Sequence, residues 1–197
     1  MSGMVMRAIG LMVTAGLALM ACTGSPPDPD VSPAPTGDPT PAASASPSPS
    51  APAKPERPEA MKRKDAAGAA AAAEYFIELY PYVMATGDTE EFEAMSHRAC
   101  GFCSDALAQA ERIAADDWTY TGGGSDLLVT QVYARDELTG IFPLDVEISQ
   151  ESSRITSVSG EELYSVEAKT FDRRVELGRR DGQWVVVTVA PVPAVGR

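Results

Sequence analysis

Proline decides where this chain can fold. Twelve of its sixteen prolines lie between Pro26 and Pro58, and each removes a backbone donor and fixes φ. Regular helices and sheets are therefore confined to the roughly 140 residues that follow. That length supports one hydrophobic core without help from a metal and rules out two domains. From Thr23 to Pro58 the chain is mostly Pro, Ala, Ser, Thr and Asp, with no aromatic residue and Val31 as its only large aliphatic. Such a segment cannot bury enough apolar surface to offset its ordering entropy, so residues 22–58 are expected to form a disordered tether. Drawn out as polyproline II at about 3.1 Å per residue, it would reach on the order of 110 Å. A Pro-rich ligand and a site of O-glycosylation are the alternatives to a plain spacer.

Ahead of the tether, Met1 to Arg7 carry one positive charge and Ala8 to Ala21 carry none. The run falls short of the roughly 20 apolar residues of a spanning helix, and it reads as an export signal. Its end, Leu19-Met20-Ala21-Cys22, resembles the lipobox of bacterial lipoproteins, in which the cysteine sulfur takes a diacylglycerol and the peptide is cut just before it. The resemblance implies that residues 1–21 are a signal peptide, that Cys22 is the lipidation site bearing chains such as palmitate, and that the chain is anchored in the bilayer on the extracytoplasmic face of the cell membrane. An ordinary signal peptide cut after Ala21, with Cys22 as a stray thiol, is the alternative.

Charge narrows the partners. The chain has 16 Lys plus Arg against 28 Asp plus Glu, a net charge of −12. No positive surface is available to gather a polyanion, so nucleic acid is excluded as a partner. The same balance denies it electrostatic attraction to anionic lipid headgroups, which leaves anchoring to the acyl chains themselves.

In the folding part, helices come first. Apolar residues at Ala69, Ala72, Ala73, Phe76, Leu79, Tyr80, Val83 and Met84 follow the i, i+3, i+4, i+7 pattern and predict a helix over 65–86, kinked or loosened at Pro81. Gly87 supplies a stop, and Asp88 with Glu91 gives a start signal for a short second helix to about Met95. Phe102, Cys103, Ala106, Leu107, Ala110, Ile113 and Ala114 predict a third helix ending near Asp116. From Trp118 the period changes to two. Leu128, Val132 and Ala134 share one face, while Leu144, Val146 and Ile148 alternate with Asp145 and Glu147, as in antiparallel strands with one wet face. Residues 163–178 continue as strand, and Arg180-Asp181-Gly182 turns into a final strand, Trp184 to Val189. That strand is apolar on both faces except at Thr188, which predicts a central place in the sheet.

Three helices followed by an antiparallel meander, closing on Arg180-Asp181-Gly182-Gln183-Trp184-Val185-Val186, resemble the nuclear transport factor 2-like cone. The implied fold is α+β, with three N-terminal helices packed on a curved antiparallel sheet. Ala85-Thr86-Gly87-Asp88 and Cys100-Gly101-Phe102-Cys103, behind a lipobox and a Pro-rich tether, are similar to a family of uncharacterised actinobacterial lipoproteins carrying a domain of unknown function. The resemblance spans about residues 65–190 and brings no chemistry with it. The division expected is therefore signal peptide 1–21, tether 22–58, α+β domain 59–190 and a flexible tail 191–197.

Candidate sites are few. On the oxidising side of a membrane, Cys100 and Cys103 should be joined as a disulfide that pins the start of the third helix. Thiol-disulfide exchange is the sharper reading of the same pair, because a helix N-terminus lowers a thiol pKa. With His97 the string becomes H-x-x-C-x-x-C, which offers zinc three ligands at most, so no metal and no cofactor are expected. Cones of this superfamily often enclose a pocket, and Phe76, Tyr80, Tyr133, Tyr164 and Trp184 are the residues expected to line one here. Acid/base chemistry would have to use Asp145 or Glu147, or Tyr133 and Tyr164 as donors; as the solvated face of a sheet, the two carboxylates need no catalytic role, and no catalytic residue is assigned. The resulting expectation is a non-catalytic envelope domain that binds a protein or a small apolar ligand. A carrier or enzyme working through the pocket, and a redox protein built on the cysteines, are the alternatives.

Overall fold

The computed structural model describes residues 52–194. The expectations for the signal peptide, Cys22 and most of the tether, and for residues 195–197, lie outside the described residues. Within them the fold is α+β, with a short 3-10 helix (Glu59–Lys62), three α-helices and two antiparallel sheets. No helix among the described residues is long and apolar enough to cross a membrane.

Helix α1 (Ala66–Thr86) begins at Asp65, whose carboxylate accepts from the Gly68 N–H at 3.2 Å. Arg63 and this backbone bond hold the Asp65 carboxyl down at about 2. Gly68 is required there, because a Cβ would collide with the Arg63 carbonyl. The helix runs on through Pro81 and ends at Gly87, whose φ of 71° is the left-handed cap that glycine adopts without strain. Twelve of its 21 residues are buried, on nearly every side of the helix, so it is enclosed by the domain, whereas the sequence pattern suggested a single apolar face. Its alanines, Ala69 to Ala73, let neighbouring elements approach closely.

Helix α2 (Glu90–Met95) starts one residue later than its start signal suggested, with Thr89 at the cap position and no side-chain cap. Asp88 is instead occupied by the Tyr82 hydroxyl, which donates to it at 2.7 Å. Helix α3 (Gly101–Ala115) opens at Cys100. Lys54 and Arg57, in the stretch read as tether, are tied to the domain through ion pairs to Asp88 and Glu91, so contact with the folded body starts ahead of residue 59.

One sheet has the order β1 (Thr119–Gly122), β4 (Ser153–Thr156), β5 (Glu162–Val166). The other has the order β2 (Ser125–Val132), β3 (Phe142–Gln150), β6 (Lys169–Arg180), β7 (Gln183–Ala190). The continuous meander expected from sequence is thus divided. Its strands break at the same level: at Gly123-Gly124, at Glu151-Ser152 and at Glu167-Ala168, so residues 163–178 form two strands. Backbone bonds from Gly123 N–H to the Ser152 carbonyl (3.0 Å) and from Glu151 N–H to the Gly124 carbonyl (2.8 Å) bridge the break. Gly123 has φ 77°, and a Cβ there would collide with the Tyr120 hydroxyl.

Strand β7 lies at the edge of its sheet, not at the centre. Its apolar composition is explained by what covers it. The His97 N–H donates to the Val186 carbonyl at 2.9 Å, and the α2–α3 connection lies along that edge and shields it. Arg180-Asp181-Gly182 forms the expected hairpin turn, with φ of 51° at Asp181 and 81° at Gly182. On β2 Leu128 and Val132 are both exposed, but the bulge between Val129 and Gln131 puts them on opposite faces, Leu128 across from Glu147 and Val132 across from Leu144, and Leu127 and Val129 pack on the core instead. Asp145, expected on a wet face, is buried beneath Tyr133 and Arg174.

Candidate functional site

A cavity of 690 Å³ opens where α3 and the second half of α1 face the line along which the strands break. Both sheets contribute to it because their inward side chains converge there. Tyr120 on β1, Ser153 and Ile155 on β4 and Tyr164 on β5 meet Ile148 and Gln150 on β3 and Phe171 on β6. The helices supply Ile77 and Tyr80 from α1 and Phe102, Gln109 and Arg112 from α3, with Trp118 just beyond. Volume and composition are those of a small-molecule site, mostly apolar and aromatic with a few placed polar groups.

Three phenols line the cavity, those of Tyr80, Tyr120 and Tyr164. Tyr80 donates to the Gln109 Oε1 at 3.3 Å and stacks on Phe102 at 5.9 Å between ring centroids. Burial, reinforced by Tyr120 and Tyr164, pushes the Tyr80 phenol up to about 12. Tyr120 is raised as well, through burial. Both remain neutral O–H donors at physiological pH. The Tyr120 hydroxyl is buried with no hydrogen-bond partner among the described residues; Ser153 stands beside it in a geometry short of a bond.

The charged groups on the wall are all cationic: Arg112, Lys169 and Arg173, with no carboxylate among the lining residues. Period two places Lys169, Phe171 and Arg173 on one face of β6. Arg173 sits 4.6 Å and Lys169 5.3 Å from the centroid of the Phe171 ring. Carboxylates nearby lie outside the lining: Glu78 is raised by burial and by the neighbouring charges of Glu74 and Asp126.

Of the residues singled out from sequence, Tyr80 and Tyr164 line this cavity. Phe76 lies in the core, stacked on Phe92 at 4.2 Å. Trp184 packs edge-on against Phe142, and its Nε1–H donates to the Met61 carbonyl at 2.9 Å, which fastens the chain ahead of α1 to β7. Tyr133 is on the opposite side of the sheet, donating to Asp145 at 2.7 Å. Sequence reading missed Tyr120, Phe171 and the three cations. The alternation Lys-x-Phe-x-Arg on a predicted strand was the signal available for Lys169, Phe171 and Arg173.

Cys100 and Cys103 are joined as a disulfide, and both are 1% exposed. The Cys100 sulfur also accepts from the Cys103 N–H at 3.2 Å, which caps α3. With the sulfurs bonded to each other they are not thiolate ligands, and His97 uses its Nδ1 to accept from the Ala99 N–H.

Among solved structures the chain is similar to the intermembrane-space region of the chloroplast protein ARC6, at 14% identity and a TM-score of 0.50, over 66% of this chain and 99% of that one. It is similar also to a periplasmic fragment of TraM, at 10% identity and a TM-score of 0.40, over 64% and 96%. Aln2 from a Streptomyces species follows at 15% identity and a TM-score of 0.36, over 62% and 88%. Of these, the ARC6 likeness bears on the fold alone. No curated protein matches the sequence. Residues 37–190 match the model of a family of unknown function, DUF6318, and the chain belongs to that family.

Proposed function

We propose that this chain is a lipid-anchored envelope protein of bacterial, actinobacterial type, whose domain is a nuclear transport factor 2-like cone that holds a small ligand without transforming it. In this reading the two sheets are the wings of one sharply bent sheet, and the cavity at the bend is the ligand site. The Leu19 to Cys22 string and the Pro-rich stretch support the anchor and tether. The observation that carries the binding function is the 690 Å³ cavity with aromatic walls. Its lining contains no histidine, carboxylate or cysteine, and Tyr80 is held near 12. A general base working near neutral pH has no candidate among these groups.

Two experiments test the two halves. Cys22→Ala should abolish lipid attachment and release the chain from membranes; acyl chains on that variant by mass spectrometry would refute the anchor. For the cavity, N-phenyl-1-naphthylamine should brighten on binding the wild-type chain, while Ala108→Trp, which fills the lining from α3, should remove most of that signal. Equal binding by both, with circular dichroism showing both folded, would place the ligand site elsewhere.

A further inference from the structure

We propose that the ligand is an anionic amphiphile, an apolar body ending in a carboxylate or another oxyanion, bound with its head among Arg112, Lys169 and Arg173. The inference rests on the cavity being the ligand site and adds the ligand's charge and polarity.

Charge is segregated between the chain as a whole and the cavity wall. Carboxylates outnumber cations 28 to 16 along the chain, yet the cavity wall reverses the ratio, with three cations and no acid. Elsewhere in the domain some cations find carboxylates, Arg57 meeting Glu91 at 2.7 Å, Arg154 meeting Glu162 at 2.8 Å and Arg174 meeting Asp145 at 2.7 Å, whereas Lys64, Arg98, Arg135, Arg179 and Arg180 meet none among the described residues. What sets the cavity apart is that three cations without a carboxylate converge on one volume. Arg112, Lys169 and Arg173 have no carboxylate partner among the described residues.

Their placement gives the site a polarity. The inward face of β6 changes along its length, from buried Leu177 and Val175 to half-buried Arg173 and Phe171 and exposed Lys169. Cross-strand pairing sets Ile148 opposite Phe171 and Gln150 opposite Lys169, so an apolar rung is followed by a polar one. Arg173 donates one bond to the Asp172 carbonyl, and both β6 cations lie against the Phe171 ring, which holds them in place while leaving further donors unused. Deeper in, the Tyr120 hydroxyl, on a residue 7% exposed and without a hydrogen-bond partner among the described residues, adds a neutral donor beside Ser153. A fully apolar ligand would leave the cations unused, and a small inorganic anion would leave the aromatic wall wet. A molecule with an apolar body and one negative end satisfies both.

The test compares dodecanoate, dodecyl phosphate, dodecanol and dodecylamine as competitors of bound N-phenyl-1-naphthylamine, on the full chain with Cys22→Ala so that covalent acyl chains do not compete. Both anions should displace the probe at least tenfold more tightly than the alcohol, with the amine weakest, and the preference should shrink as salt rises. Whether carboxylate or phosphate binds more tightly identifies the head. In Lys169→Gln/Arg173→Gln the anion-over-alcohol preference should fall about tenfold, while Arg98→Gln, a cation away from this cavity, should leave it unchanged. Equal displacement by anion and alcohol would overturn the charge assignment and leave the cavity as a binding site. Displacement by none of the four would overturn both.

Discussion

Arg173 and Arg174 are neighbours on β6 and do opposite things. Arg174 faces outward and closes a bidentate pair on Asp145, Nε to Oδ1 at 2.7 Å and Nη2 to Oδ2 at 2.9 Å, while Tyr133 donates to the same carboxylate and lies under the guanidinium. Arg173 faces inward, rests on Phe171 and meets no carboxylate among the described residues. One strand thus separates a satisfied ion pair from an unsatisfied cation by a single pleat. On the outer face charge is consumed by the fold. On the inner face it is left over, and surplus charge in a cavity points to a ligand.

The largest effect should follow from breaking the satisfied side. Asp145→Ala leaves Arg174 without its carboxylate at a site where the two side chains retain 12% and 22% of their exposure. The pair lies between a surface bridge and a buried one, so the expected loss is about 2 kcal/mol, read as a lowered urea midpoint. Arg174, partly opposed by burial, holds the Asp145 carboxyl below its usual range. A carboxyl lowered by folding stabilises above its unfolded pKa of about 3.9 and loses that contribution as pH falls through the folded value. Wild type should therefore lose stability more steeply below about pH 4 than Asp145→Asn does. Parallel acid limbs for the two proteins would show that the pair contributes nothing.

How far this contrast could be read in advance depends on which forces set it. Local chemistry was legible: Asp65 and Gly87 bound α1, Asp181-Gly182 turns the last hairpin, and Cys100 with Cys103 closes its loop. The break of the strands at one level was not, because it is set by register between strands and not by a turn residue in each. Glu167-Ala168 carries no Gly or Pro, and β4 is only four residues long, Ser-Arg-Ile-Thr, with Ile155 alone buried. The edge position of β7 was hidden because the α2–α3 connection, distant in sequence, covers it. In the cavity, Tyr80 and Tyr164 could be anticipated as aromatic residues on apolar elements. Arg112 and Arg173 lie far apart in the chain, and the topology alone makes them neighbours of one volume.

A smaller effect, of opposite sign, is expected on the inner side. Leaving a buried hydroxyl unpaired costs about 1–3 kcal/mol, and the Tyr120 hydroxyl is such a group. Ser153 close by offsets part of that cost, so Tyr120→Phe should stabilise the free domain by about 0.5–1 kcal/mol. The same variant should weaken the preferred amphiphile. Stability up and affinity down is the signature of a polar group kept for binding, whereas a loss of stability would mean that the hydroxyl is satisfied by the fold.

The smallest effect should come from Arg173 itself, and it bears most directly on the division between the two faces. Arg173→Gln gives up its stacking on Phe171, an interaction of about 0.5–1 kcal/mol at an exposed site, but it also relieves the crowding of three unpaired cations around one cavity. The two changes oppose each other, so the urea midpoint should move by less than the equivalent of about 0.5 kcal/mol. Arg174→Gln, one residue along, strips Asp145 of both guanidinium bonds and should cost several times more. The comparison uses the same residue type, the same substitution and the same strand, so helix or strand propensity and chain entropy cancel. If Arg173→Gln were as costly as Arg174→Gln, its charge would belong to the fold on both faces, and the cavity would have no cation to spare for a ligand.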